Sequence, residues 1–150
     1  MGEHRGERPR MPPAWRVAAP LIAAAVAGAS GLLLRRLEVV GPSMQPTLVP
    51  GDRLLAVRLP AAWPLGPGDL VVLHDPRLPR GDAPPVVKRV VGVGAGRRGV
   101  VVEGDNPAAS TDSRTYGPVD RRQVVGRVLY RYGPAGRTGW LLGRAGVRTV

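Results

Sequence analysis

The sequence predicts a mainly β domain over residues 39–132, preceded by one N-terminal transmembrane helix over residues 17–34. Three observations lead there. Short runs rich in valine and leucine are separated by turn residues, and 21 Gly and 17 Pro in 150 residues leave little room for long helices. One stretch, Val17 to Leu34, runs 18 residues without a charge between Arg16 and Arg35-Arg36. The length suits one modest domain with an appendage rather than two full domains.

Residues 1–16 mix charges with Pro9, Pro12 and Pro13 and read as a basic disordered arm. The apolar stretch that follows would span ~27 Å as a helix at ~1.5 Å per residue, slightly under the ~30 Å bilayer core. Leu37 and Val39 could extend it. Pro20 falls in its first turn, and Gly28 and Gly31 suit a membrane helix. A cleavable signal peptide ending at Ala27-Gly28-Ala29 competes with this reading, but Gly31-Leu32-Leu33-Leu34 carries the apolar run past that site. A buried core helix is the third option, although the run has no polar face. Four arginines precede the stretch and two follow it closely, which puts the arm inside and the domain over residues 39–132 on the outer face of the cell membrane, single-pass. A cytoplasmic location follows if residues 17–34 are not a true anchor.

Arg53-Leu54-Leu55-Ala56-Val57 is the first expected strand, and Ala61 to Asp69 a loop or pair of turns. Leu70 to His74 is a short strand, and residues 75–85, with four prolines, another loop. Val86 to Val93 is strongly β-branched. It turns through Gly94-Ala95-Gly96-Arg97-Arg98-Gly99 into Val100-Val101-Val102-Glu103 as a hairpin. Gly104 to Gly117 is a polar loop, and Val124 to Tyr132 the last strand. Residues 133–150 form a basic, glycine-rich tail. Its Trp140-Leu141-Leu142 is too short to span a bilayer, and a frayed terminus is the expectation.

Composition limits the chemistry. Without Cys there is no disulfide or thiolate metal site, and only His4 and His74 are available for a His-based triad. No metal or other cofactor is expected. The net charge of +11, from 22 basic and 11 acidic residues, suits nucleic acid or an anionic membrane. No aromatic-interleaved basic stripe or recognition helix accompanies it, so the lipid bilayer is the expected partner and nucleic acid is not. Of the basic residues only Lys88 is a lysine, and serine occurs only at Ser30, Ser43, Ser110 and Ser113.

Ser43 lies in Gly41-Pro42-Ser43-Met44-Gln45-Pro46-Thr47-Leu48-Val49-Pro50-Gly51-Asp52, a serine held at a bend. On its strand Lys88 shares a face with Val86 and Val90, while Arg89 points the other way. Desolvation there disfavours the charged amine, and a lysine, unlike an arginine, can then act as a base. The competing reading is a lysine at a strand edge with its head in water.

These residues carry a resemblance. Ser43-Met44-Gln45-Pro46-Thr47-Leu48, Pro67-Gly68-Asp69-Leu70-Val71-Val72, Lys88-Arg89-Val90-Val91-Gly92, and Gly104-Asp105-Asn106 with Ser110, Asp112, Ser113, Arg114 and Gly117 occur in the order and spacing of the type I signal peptidases. These are membrane-tethered serine proteases with a Ser-Lys dyad. The resemblance covers residues 39–132 and implies a coiled, mostly antiparallel β catalytic core. It implies Ser43 as nucleophile and Lys88 as general base, with Ser110 orienting the amine. Asp112 and Arg114 would form a structural ion pair, and Asp105 and Asn106 the loop's turn. Its substrates would be precursor proteins whose N-terminal signal or leader peptides are cut after small residues.

In that chemistry neutral Lys88 takes the Ser43 proton, the alkoxide attacks the scissile carbonyl, and Lys88 protonates the leaving amine. The Ser43 backbone N–H is an oxyanion donor, whereas Pro42 has none to offer. Some family members place a second donor two residues before the nucleophile, where this chain has Gly41. Only eleven residues separate Gly92 from Gly104, so the large β insertion of longer signal peptidases is absent and the core is minimal. It is similar in this to the nickel-type superoxide dismutase maturation proteases and the mitochondrial inner-membrane proteases. A dedicated maturation protease for one precursor is therefore an alternative. A non-catalytic basic module at the membrane surface would explain the charge but not Ser43 and Lys88 together. A self-cleaving repressor would need a DNA-binding domain that the residues before Val39 have no room for.

Overall fold

Runs of β-branched and leucine residues between glycine and proline turns cannot bury themselves locally, so they pair across the chain. A computed structural model describes residues 33–58, 60, 64–79, 84–94 and 98–143. Among these lie eight strands: β1 (Leu34–Glu38), β2 (Arg53–Arg58), β3 (Leu70–Leu73), β4 (Val86–Val93), β5 (Arg98–Glu103), β6 (Val119–Asp120), β7 (Val124–Gly133) and β8 (Gly139–Trp140). One short helix, α1 (Ser113–Tyr116), interrupts the loop between β5 and β6. The strands form one sheet in the order β1-β2-β7-β3-β4-β5-β6, with β8 added to β7. Every pairing is antiparallel. Irregularities in register between β2 and β7, β3 and β7, β4 and β5, and β5 and β6 increase the local twist. The sheet curls into half a barrel.

β3 explains why four apolar residues in a row still make a strand. All four are buried, and they alternate between two cores. Leu70 and Val72 pack with Met44, Leu48, Leu54 and Val128, while Val71 and Leu73 pack with Val90, Val100, Val102 and Val119. Truncating such a side chain to alanine costs roughly 2–5 kcal/mol. β3 thus links the core under the Ser43 loop to the core under Lys88.

Some sequence expectations need correction. Leu34 was expected to end the membrane helix, yet it opens β1, which pairs with β2 from Leu34↔Val57 to Glu38↔Arg53. The rest of the proposed arm and membrane helix, residues 1–32, lies outside the described residues. Among those described, no helix is long and apolar enough to cross a membrane. The expected frayed tail joins the sheet instead. β7 runs on to Gly133, a 3₁₀ turn follows at Ala135–Arg137, and β8 pairs Trp140 with Tyr130. The Tyr130 and Trp140 rings meet edge-on with centroids 5.1 Å apart, and such aromatic pairs prefer this arrangement. Residues 144–150 lie outside the described residues.

Candidate active site

The stretch from Gly41 to Pro50 is the loop of the β1–β2 hairpin. Its ends are tied together where Val39 N–H donates to the Asp52 carbonyl at 2.9 Å and Gly51 N–H to the Val39 carbonyl at 2.8 Å. Gly51 takes φ +88°, a conformation that favours glycine. Inside the loop Gln45 N–H bonds the Pro42 carbonyl at 3.1 Å and Leu48 N–H the Met44 carbonyl at 2.9 Å. Met44 and Leu48 anchor it in the core. Ser43 is half-buried at the first bend. Its hydroxyl forms no hydrogen bond among the described residues.

Lys88 is 4% exposed, on the same side of β4 as the buried Val90. Burial pushes its pKa down, and the Arg114 charge adds to this while the Asp112 charge opposes it. The amine donates to Ser110 Oγ at 2.8 Å. Ser110 in turn donates its own proton to Asp112 Oδ2 at 2.6 Å. With that proton committed to a carboxylate, Ser110 can only accept from Lys88. The neutral amine therefore spends one N–H on Ser110 and keeps its lone pair for another partner.

Asp112 is fully buried and caps α1 through Arg114 N–H. Burial alone would raise its pKa, but hydrogen bonds from Arg114, Gly104 N–H and Ser110 together hold it well below the usual carboxylate range. Arg114 forks onto it through Nε at 2.9 Å and a second guanidinium nitrogen, and that nitrogen also reaches the Gly104 carbonyl at 3.2 Å. Gly104 is the closest link between the two halves of the site. A β-carbon there would stand 2.2 Å from Ser110 Oγ and 2.5 Å from the Ser43 carbonyl oxygen. The Ser43 carbonyl and the Ser110 hydroxyl thus meet at a residue with no side chain.

Asp105 and Asn106 bridge loops rather than only shaping their own turn. Asn106 N–H donates to the Ser43 carbonyl at 3.0 Å, and its side-chain amide to the Pro42 carbonyl at 3.2 Å. Asp105 takes both arms of the Arg89 guanidinium, at 2.7 and 2.6 Å. Arg89 also reaches the Gly68 carbonyl at 2.9 Å and Thr47 Oγ1 at 3.4 Å. Sequence reading placed Arg89 opposite Lys88 but gave it no partner. The buried Asp52 was likewise left without one. It accepts from Arg131 and Arg137, 79 and 85 residues away, too far for local spacing to signal. Asp69 similarly pairs with Arg127 at 2.8 Å.

The fold therefore gathers Lys88, Ser110, Asp112 and Arg114 into one hydrogen-bonded chain. It brings the Ser43 backbone against Gly104 and Asn106 beside that chain, with no hydrogen bond between Ser43 and Lys88 in this state. Among the described residues no cluster of His, Asp or Glu could hold a metal ion. A β-carbon at Gly41 would meet nothing within 4 Å, so the position two before Ser43 is open.

This arrangement has relatives. The family model described as signal peptidase, peptidase S26, matches residues 14–98, which include both Ser43 and Lys88. The chain belongs to this family. It is 36% identical over 119 residues to the mitochondrial ATP-independent inner membrane protease subunit 1a of Arabidopsis thaliana, covering 65% of this chain and 69% of that protein. It is 30% identical over 120 residues to the human mitochondrial inner membrane protease subunit 1, covering 67% of this chain and 70% of the relative. Subunit 2 of the yeast Saccharomyces cerevisiae enzyme is 31% identical over 126 residues, covering 68% of this chain and 70% of the relative. Membership of a peptidase family, with relatives named as proteases, supports peptidase activity. These relatives are named as inner membrane proteases.

Proposed function

We propose that this protein is a membrane-bound serine endopeptidase that removes N-terminal signal or leader peptides after small residues, with Ser43 as nucleophile and Lys88 as general base. The observation that carries the reading is Lys88 itself. It is a buried amine whose basicity is lowered by desolvation, and Ser110 holds it in a way that leaves its lone pair free. Lys88 takes the proton of Ser43 Oγ as that oxygen attacks the scissile carbonyl, then returns it to the leaving amine. A water deprotonated by Lys88 hydrolyses the acyl-enzyme in the second half of the cycle. The Ser43 backbone N–H forms none of the hydrogen bonds described above and is free to meet the oxyanion.

An extended substrate fits this site as an added strand. β4 pairs with β3 from Val86 to Arg89, but on its other edge β5 begins pairing only at Arg89. The edge from Val86 to Lys88 is thus available to a peptide backbone running past the amine. Asp112 and Arg114 fix the loop that carries Ser110, and Asp105 and Asn106 join it to the Ser43 loop. The single-pass anchor expected over residues 17–34 ends before Leu34, which opens β1, and residues 39–132 carry the catalytic domain on the outer face. The anchor would keep the site close to precursors emerging from the bilayer.

Two experiments test this. Lys88→Arg keeps the charge and removes the base, and precursor cleavage should fall by roughly 10²–10⁴-fold; cleavage near the wild-type rate would end the dyad assignment. A survey of cellular protein N-termini with active Ser43 and with Ser43→Ala identifies the substrates. Many uncleaved precursors mark a general signal peptidase, and a single one marks a maturation protease.

A further inference from the structure

The segment that follows β7 touches both halves of the candidate site. Asp52, at the end of the Ser43 loop, is fully buried. Arg137, in the 3₁₀ turn after β7, donates to its two oxygens from Nε at 2.9 Å and from a second nitrogen at 3.1 Å. Arg131 donates to the same carboxylate at 3.1 Å. Both arginines also donate to the Thr47 carbonyl, at 2.9 Å from Arg131 and 3.4 Å from Arg137. The two are fixed to each other, since Arg131 Nε donates to the Arg137 carbonyl.

The chain then turns toward the other half. Leu141 N–H bonds the Leu129 carbonyl at 2.8 Å, and its side chain packs on the cluster that holds Met44 and Leu48. At Gly143 a β-carbon would lie 2.5 Å from the Gly68 carbonyl carbon and 2.7 Å from Asp69 N, so the backbone there lies directly against that turn. Gly68 is the residue whose carbonyl receives Arg89, the neighbour of Lys88 on β4. β8 pairs only two residues with β7. So short a ladder does little for the sheet, whereas the contacts it places reach the loops on both sides.

We infer that residues 134–143 are a strap that sets the Ser43 loop relative to Lys88, and that Arg137 is its positioning residue. The inference rests on the Ser43–Lys88 reading above. Arg137 is suited to the task because its planar fork fixes both oxygens of Asp52 in direction as well as distance, which an ammonium cannot do. It touches no group that would meet substrate.

The test uses the full-length protein, with a precursor peptide as substrate and a fluorophosphonate as probe of Ser43 reactivity, well below the melting temperature. For Arg137→Gln, kcat and the rate of Ser43 labelling should both fall by roughly 10- to 100-fold, the scale of a misplacement of about 1 Å, with KM little changed. The pH at half-maximal rate should stay in place, because Arg137 is not among the charges that act on Lys88. Arg137→Lys, which keeps the charge without the fork, should recover part of the loss. Wild-type kcat and labelling with only a lower melting temperature would overturn the strap. If Arg137→Gln does not fold, the lysine variant decides on the same criteria: reduced kcat and labelling support the strap, wild-type values overturn it. Ser43→Ala separates the two ideas. Should it cleave at the wild-type rate, the dyad reading fails; an inactive Ser43→Ala beside a fully active Arg137→Gln overturns the strap alone.

Discussion

Lys88 is joined to Asp112 through one hydroxyl, that of Ser110, which accepts from the amine at 2.8 Å and donates to the carboxylate at 2.6 Å. The direction of both bonds is set by Asp112, which as a carboxylate can only accept. Ser110→Ala removes the link and leaves Lys88 free to rotate. The expected result is a fall in kcat smaller than the ~10²–10⁴-fold assigned to loss of a general base, with KM unchanged. Ser110→Ala turning over at the wild-type rate would show that the amine needs no orienting group.

The pH dependence follows from the charges around the amine. Burial lowers the Lys88 pKa, so activity should rise with pH and reach half its maximum below the ordinary lysine value of ~10.4. The negative charge of Asp112 works in the opposite sense and holds the pKa up. Asp112→Asn removes that charge and leaves Arg114 with only the more distant Glu103 carboxylate at 3.8 Å, and both changes disfavour the ammonium. The midpoint of the rate profile should therefore move to lower pH while the maximum rate drops. A midpoint that stays put or moves up would contradict the electrostatic account.

How far the sequence disclosed this arrangement depended on how local each signal was. β4 was legible to the residue, because Val86 to Val93 is a run whose β-branched side chains leave few alternatives. The burial of Lys88 followed from alternation with Val86 and Val90. β1 was hidden because Leu34 and Leu37 continue an apolar run that reads as helix, and only pairing with β2 decides otherwise. Residues 133–143 read as a frayed end because their glycines carry no periodic pattern. Their order comes from Arg137 on Asp52 and from Gly143 against Gly68, contacts between residues 85 and 75 positions apart. Arg89 was placed on the correct face, but a chain with 21 arginines gives no local hint which of them has a carboxylate waiting.

Gly104 should be intolerant of any side chain. The added methyl of Gly104→Ala would fall 2.2 Å from Ser110 Oγ and 2.5 Å from the Ser43 carbonyl, so one or both must shift. These are the two contacts that register the Lys88 side against the Ser43 loop. Cleavage should drop by roughly 100-fold, as for a misplacement of about 1 Å. Circular dichroism and melting temperature establish whether the fold survives. A folded Gly104→Ala with wild-type kcat would show that the halves of the site are not registered there.

The opening in front of Ser43 suggests a gain rather than a loss. Gly41 has no atom within 4 Å of where a β-carbon would lie, and the Ser43 N–H is the one oxyanion donor identified. Gly41→Ser adds a hydroxyl at the position where some signal peptidases carry a donor. An added donor aimed at the oxyanion contributes up to ~10²–10³-fold in kcat when its geometry is ideal. An untuned one should give a smaller rise, with KM unchanged. No increase in kcat, in a variant that melts like the wild type, would mean that the hydroxyl does not reach the oxyanion.

Acid should destabilise the fold through its buried carboxylates. Asp52, Asp105 and Asp112 are each desolvated, which alone would raise their pKa values, yet arginine and other hydrogen bonds outweigh this and lower all three. A lowered folded-state pKa gives stability that is fully present above the unfolded value of ~3.9 and lost as pH falls through the folded value. Melting temperature should hold from neutral pH to about 5 and then fall. Asp112→Ala should cost roughly 1–3 kcal/mol at pH 7, since it strands the Gly104 N–H and Ser110 while Arg114 turns to solvent. The gap to the wild type should close below pH 4. Lys88 has the same sign of pH dependence, but as a penalty and in the alkaline range. Its lowered pKa means that the unfolded chain binds the proton more tightly, a penalty that eases only as pH rises toward ~10.4. Lys88→Met should therefore melt above the wild type at pH 7, and the gain should shrink at higher pH. Equal melting temperatures at pH 7 would mean that Lys88 carries its proton at no cost, and with that the case for a buried base would go.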